Sequence, residues 1–146
     1  MEMRTILYVE DSPLDVELTK EVLKDSNIVN PIVVANDGVE ALEYLRCEGE
    51  YVGRKTGNPG MILLDLKMPR MDGLEFLAIA KKDDRFRQIP IIMLTSSREE
   101  KDLIKGYDLG VNAYVVKPVD FSAFAEVVKE IGVFWAIINE IPPKKG

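Results

Sequence analysis

Three carboxylates, a hydroxyl and a lysine stand where short apolar runs of this chain end. Glu10 and Asp11 follow residues 5–9 (TILYV), Asp65 follows 61–64 (MILL), Thr95 follows 91–94 (IIML) and Lys117 follows 113–116 (AYVV). Clustered carboxylates repel one another, so at neutral pH they hold a proton or recruit a cation. The chain has no histidine and one cysteine, Cys47. Without imidazole or thiolate clusters the suited cation is hard and oxygen-seeking, Mg2+ before zinc. Such a group could accept a phosphoryl group on one carboxylate, with lysine and cation neutralising its oxygens and the hydroxyl donating a hydrogen bond. Asp65 is alone at its strand end and is the best placed nucleophile.

The elements that must bring these residues together follow from periodicity. Apolar residues at consecutive positions 61–64 describe a strand covered on both faces, as in a parallel sheet flanked by helices. Strands at 5–9, 31–35, 61–64, 91–94 and 113–116 alternate with helical patterns, which predicts one α/β domain over residues 1–146, with right-handed crossovers covering both faces. Parallel strands place their carboxyl ends on one edge, where ligands of open sheets bind.

Ser12 and Pro13 suit the cap and first position of a helix ending near Lys24, with Leu14, Leu18 and Val22 on one face. Asn36-Asp37-Gly38 turns into a helix with Val39, Leu42 and Leu45 on one side. Residues 47–60, punctuated by Gly49, Gly53, Gly57, Pro59 and Gly60, read as a long surface loop. The next helix spans about 74–82, with Leu74, Leu77 and Ala78 inward. Ser97 and Glu100 have capping-box spacing for a helix that stops near Gly110. The last helix starts near Phe121 and runs toward Asn139 as an extension beyond about residue 130, ahead of Pro142-Pro143.

A net charge of -6 and no basic run argue against direct nucleic-acid binding. The apolar runs are too short to span a bilayer. No leader pattern opens the chain, so the expected location is the cytoplasm. Cys47, as the only cysteine, excludes an internal disulfide or a cysteine-rich zinc site.

VEDSP at 9–13, LLDLKMPRMDG at 63–73, IIMLTSS at 91–97 and YVVKP at 114–118 resemble, in order, the landmarks of the response-regulator receiver domains of two-component signalling, over roughly residues 4–129. The resemblance implies a doubly wound five-stranded parallel sheet of order 2-1-3-4-5 with helices on both faces. It implies Asp65 as phosphoacceptor, Glu10 and Asp11 as the acids that hold Mg2+, and the backbone carbonyl of Lys67 as a further ligand. Thr95 and Lys117 would bind phosphoryl oxygens, Thr95 and Tyr114 would switch state, and the Lys117-Pro118 bond would be cis. A Glu10-Asp11 pair stands where the family often has two aspartates. Lys67, Ser96 and Ser97 border the path by which water would reach a phosphoryl group.

The implied phosphodonor is a sensor histidine kinase. The EYVGRK segment at 50–55 and the tail carrying Phe134-Trp135 and Pro142-Pro143 resemble stand-alone receivers paired with phytochrome-type histidine kinases. Along the last helix, Phe124, Val128, Ile131, Trp135 and Ile138 follow one face, while Val127, Phe134, Ile137 and Ile141 follow another. A helix covering a sheet needs one such face. The excess suggests an interface with a partner such as a second copy, with an intramolecular contact as the rival. Two other functions compete. An aspartyl-phosphate phosphatase would want a second acid two residues after its nucleophile, where Lys67 follows Asp65 and Pro13 follows Asp11. An unphosphorylated scaffold would keep the fold and work by binding alone.

Overall fold

A computed structural model describes residues 4–25, 28–55, 57–96 and 99–130. Five strands form one sheet of order β2-β1-β3-β4-β5: β1 Ile6–Val9, β2 Ile32–Ala35, β3 Met61–Asp65, β4 Ile91–Thr95 and β5 Ala113–Val116. Every neighbouring pair is parallel. Helices α1 Pro13–Asp25, α2 Gly38–Arg46, α3 Gly73–Lys82, α4 Glu100–Leu109 and α5 Phe121–Glu130 alternate with the strands. The expected sheet order and helix–strand alternation are both present.

The strands sort their side chains with a period of two. Leu7, Val9, Ile62, Leu64, Ile91 and Met93 pack with α2 and α3, whereas Ile6, Tyr8, Met61, Leu63, Ile92 and Leu94 pack with α1 and α5. Both faces are covered, which is why the central strands are apolar at successive positions.

Helix starts and stops follow local chemistry. Ser12 Oγ accepts from the Asp15 N–H at 3.2 Å, opening α1 at Pro13. Asp37 caps α2 by accepting from Glu40 N, and Asp72 and Glu75 form a complete capping box on α3. Gly110 ends α4 at φ 103, and Cys47 ends α2 in the left-handed region. The long loop contains a short 3-10 turn, Gly49–Tyr51. It is pinned by Arg54, which stacks on the Tyr44 ring and donates to the Tyr44 carbonyl.

Several sequence expectations need correction. Leu14, Leu18 and Val22 share a face of α1, but Leu14 and Leu18 are exposed, and the core face is Val16, Thr19 and Leu23. In α3 the buried residues are Gly73, Phe76, Leu77 and Ala80, while Leu74 and Ala78 are half-buried. Helix α4 has Glu99 as its N-cap with no side-chain cap bond, and Ser97 lies outside the described residues. Phe124, expected at an interface, has no exposed surface and packs against the sheet with Val127 beside it. The other interface candidates, Ile131, Phe134, Trp135 and Ile138, and the extension they belong to, lie outside the described residues.

The close packing of α3 on β3 depends on one glycine. A Cβ on Gly73 would sit 2.3 Å from the Asp65 carbonyl oxygen and 3.0 Å from Leu66 Cα. Backbone cannot yield as a flexible side chain does, so Gly73→Ala is expected to destabilise the fold by about 2 kcal/mol. Chemical denaturation measures this; an unchanged midpoint would contradict it.

Candidate phosphoryl-acceptor and metal site

Strand register explains how residues far apart in sequence meet. Val9 pairs with Leu64, so Glu10 and Asp65 leave neighbouring strands side by side. Asp65 pairs with Leu94 and Thr95 with Val116, so Thr95 and Lys117 each extend one residue further along the edge. Lys117 N donates to Thr95 O at 3.0 Å, and the Lys117-Pro118 bond is cis.

Ligand atoms of Glu10, Asp11 and Asp65 lie within 4.8 Å of one another. Glu10 and Asp65 are buried and Asp11 is exposed, so the cluster opens to solvent on the Asp11 side. Lys117 Nζ reaches Glu10 Oε1 at 2.5 Å, Asp15 Oδ2 at 2.8 Å and Asp65 Oδ1 at 3.1 Å. One ammonium with three N–H groups thus faces three carboxylates.

These neighbours shift the titrations. Burial pushes the Asp65 carboxyl well above the usual aspartate range, the Glu10 charge adds to this, and Lys117 only partly offsets it. Burial alone would lower the Lys117 ammonium. Its bonds to Asp15 and Glu10 and the charge of Asp65 outweigh that and hold it above an ordinary lysine.

The other expected residues take distinct places. Thr95 is buried at the end of β4. Lys67 is exposed two residues beyond Asp65. Tyr114 is half-buried, its hydroxyl donates to the Asp102 carbonyl at 3.0 Å, and its ring meets Tyr107 edge-on at 5.1 Å. Gly106 makes room for that hydroxyl, since a Cβ there would collide with it.

Two residues of the network escaped the sequence reading. Asp15 is carried back toward the sheet edge by the first turn of α1. Tyr8 is fully buried, and its hydroxyl lies 3.1 Å from Thr19 Oγ1 and 3.3 Å from Glu10 Oε1. A tyrosine inside a strand covered on both faces needs a polar partner. That was the available signal for Tyr8; for Asp15 the signal was only its position one turn after the cap Ser12. A second ion pair lies nearby: Arg70 clamps Asp37 through two contacts, Nε to Oδ2 at 2.6 Å and NH2 to Oδ1 at 3.1 Å. Burial would raise the Asp37 carboxyl, but Arg70 and the capping N–H of Glu40 outweigh it and hold it below the usual range.

A doubly wound sheet with an acid cluster, a hydroxyl and a lysine on its carboxyl edge defines a receiver. The response regulator receiver domain family matches residues 6–129, and the chain belongs to it. It is 39% identical over 139 residues to response regulator Rcp1 of Synechocystis sp., covering 95% of this chain and 93% of that one. Among solved structures it is similar to the bacteriophytochrome response regulator AtBRR, with 54% identity, a TM-score of 0.86, and coverage of 96% of this chain and 100% of that one. It is also similar to the Mn(2+)-bound form of Rcp1, with 38% identity, a TM-score of 0.76, and coverage of 97% and 99%. Among the described residues no helix is long and apolar enough to cross a membrane.

The raised Asp65 carboxyl has a consequence for stability. Folded Asp65 binds its proton more tightly than an unfolded aspartate, so its contribution is fully present below the unfolded pKa and is lost as pH rises through the folded value. Without divalent cations, Asp65→Asn is expected to be more stable than wild type at pH 8 by about 1–2 kcal/mol, with the gap closing toward pH 4. Denaturant titrations at the two pH values test this; a variant no more stable at pH 8 would contradict it.

Proposed function

We propose that this chain is a response regulator that takes a phosphoryl group onto Asp65 from a sensor histidine kinase, with Mg2+ held at the acid cluster. The observation that carries this reading is the convergence of Glu10, Asp11 and Asp65 within 4.8 Å, with Lys117 Nζ 3.1 Å from Asp65. The donor set is all oxygen, which suits a hard divalent cation. Glu10, Asp11, Asp65 and the Lys67 carbonyl would hold it. When bound, it would neutralise charge on the carboxylates and on phosphoryl oxygens.

An oxygen of the Asp65 carboxylate attacks phosphorus, the phosphorus–nitrogen bond of a phosphohistidine breaks, and the imidazole leaves with the bonding pair. Lys117, released from Asp65, binds a phosphoryl oxygen, and the Thr95 hydroxyl donates to another. The group adds about -1.5 to -2 charge by analogy with phosphoserine. Through Thr95 it pulls on the segment leading to α4. Through Tyr114, which bonds to α4, it changes the surface of α4, β5 and α5.

The relatives support a narrower partner. Similarity to two bacteriophytochrome response regulators, at 50% and 54% identity, and to a phosphorylated cyanobacterial phytochrome response regulator, at 39%, favours a phytochrome-type histidine kinase. The apolar residues Ile131, Phe134, Trp135 and Ile138 favour a homodimer. Light scattering on the full chain is expected to give a dimer mass, with or without a phosphoryl mimic; a monomer in both conditions would remove the homodimer.

With acetyl phosphate and Mg2+, intact-mass measurement is expected to show one added labile phosphoryl group on wild type and none on Asp65→Asn. A wild type that stays unmodified, with a panel of kinases as well, would instead favour the scaffold that acts by binding alone.

A further inference from the structure

The loop from Leu66 to Asp72 carries the carbonyl of Lys67, and its conformation is set from outside β3. Its base is closed by Gly73 N donating to Leu66 O at 2.9 Å. Its far side is fastened to the start of α2 at three points. Gly38 N donates to Met71 O at 3.0 Å. The Met71 side chain occupies the space a Cβ on Gly38 would need. Arg70 grips Asp37 through both carboxylate oxygens. Because β1 lies between β2 and β3, this fastening spans the strand that delivers Glu10 and Asp11.

Arg70 holds an unfavourable conformation to do so. Its φ is +58, in the left-handed region that side-chain-bearing residues avoid. The Asp37 side chain is 6% exposed and that of Arg70 58%, so a buried carboxylate anchors a largely solvated guanidinium. Asp37 is fixed in turn by capping α2 at Glu40 N, 2.9 Å away. A bidentate arginine contact constrains both distance and plane, so the pair fixes the loop's orientation as well as its position.

We propose that Arg70 is a positioning residue whose clamp on Asp37 orients the Lys67 carbonyl beside Asp65 and so sets the affinity of the acid cluster for a divalent cation. This rests on the reading of that cluster as a cation site. The Arg70 side chain is bonded to Asp37 and not to the acid cluster, so it acts through the backbone from residue 67 to 70.

Glycine accepts φ +58 without penalty, which separates clamping from folding. Arg70→Gly removes the guanidinium while relieving the backbone, and Arg70→Ala removes it without that relief. Asp37→Asn keeps a good helix cap and removes the charge. Calorimetric titration with Mn2+, alongside thermal melts, is expected to show affinity lower by on the order of tenfold in all three. The melting temperature of Arg70→Gly should fall less than that of Arg70→Ala, while the two lose affinity alike.

Wild-type affinity in Arg70→Gly and Asp37→Asn would overturn the inference while leaving the cation site intact. An affinity loss that tracks the loss of melting temperature across the three variants would overturn it too, since it would mark a merely structural pair. No Mn2+ binding by wild type would overturn the underlying reading of the cluster, and the inference with it.

Discussion

A single ammonium group sits where three strand ends, those of β1, β3 and β5, and one turn of α1 converge. Lys117 Nζ is within hydrogen-bonding range of Glu10, Asp15 and Asp65, and without it these acids would be crowded carboxylates facing one another across a buried edge. Their mutual repulsion is what raises Asp65 beyond the effect of burial. An arrangement of this kind is poor for stability: three carboxylates share one ammonium, and Asp65 is in direct contact with Lys117. Buried charge clusters of this type are costly without full pairing, and the sheet holds them because its core is formed elsewhere, on the two helix-covered faces.

The architecture converts that local charge balance into placement. Parallel pairing puts the ends of β1, β3, β4 and β5 on one edge, and the register sets Glu10 beside Asp65 and Thr95 beside Lys117. Gly73 lets α3 close over the Asp65 carbonyl, and the Arg70–Asp37 pair ties the following loop to α2. On the other side, Tyr114 links β5 to α4 through the Asp102 carbonyl, in a slot left open by Gly106. The charged edge and the α4 face are joined through β5, by the hydrogen bond from Tyr114 to the Asp102 carbonyl.

Much of this was legible in the sequence, because the signals were short and strong. An apolar run of strand length ending in an acid gave β3 and Asp65, and the same pattern repeated gave the sheet and its edge. What was illegible depended on three-dimensional return. Asp15 reaches Lys117 because one turn of α1 carries it back over the edge, and a lone aspartate after a proline carries no such mark. Leu14 and Leu18 show how periodicity names a face without saying which way it points: the stripe is regular, yet Val16 and Leu23 fill the core. Phe124 was misassigned to an interface because two apolar stripes on one helix do not reveal which of them the sheet takes. Arg70 was invisible because its partner Asp37 lies 33 positions away and its left-handed backbone leaves no trace in residue type.

The proposed function requires that the phosphoryl group go to one particular carboxylate of the crowded edge. Borohydride reduces an aspartyl phosphate to homoserine, so peptide mapping after phosphorylation and reduction locates the modified residue directly. A single reduced position, residue 65, is expected, and only when a divalent cation is present. Reduction at Glu10 or Asp11, or equal labelling with and without the cation, would contradict it.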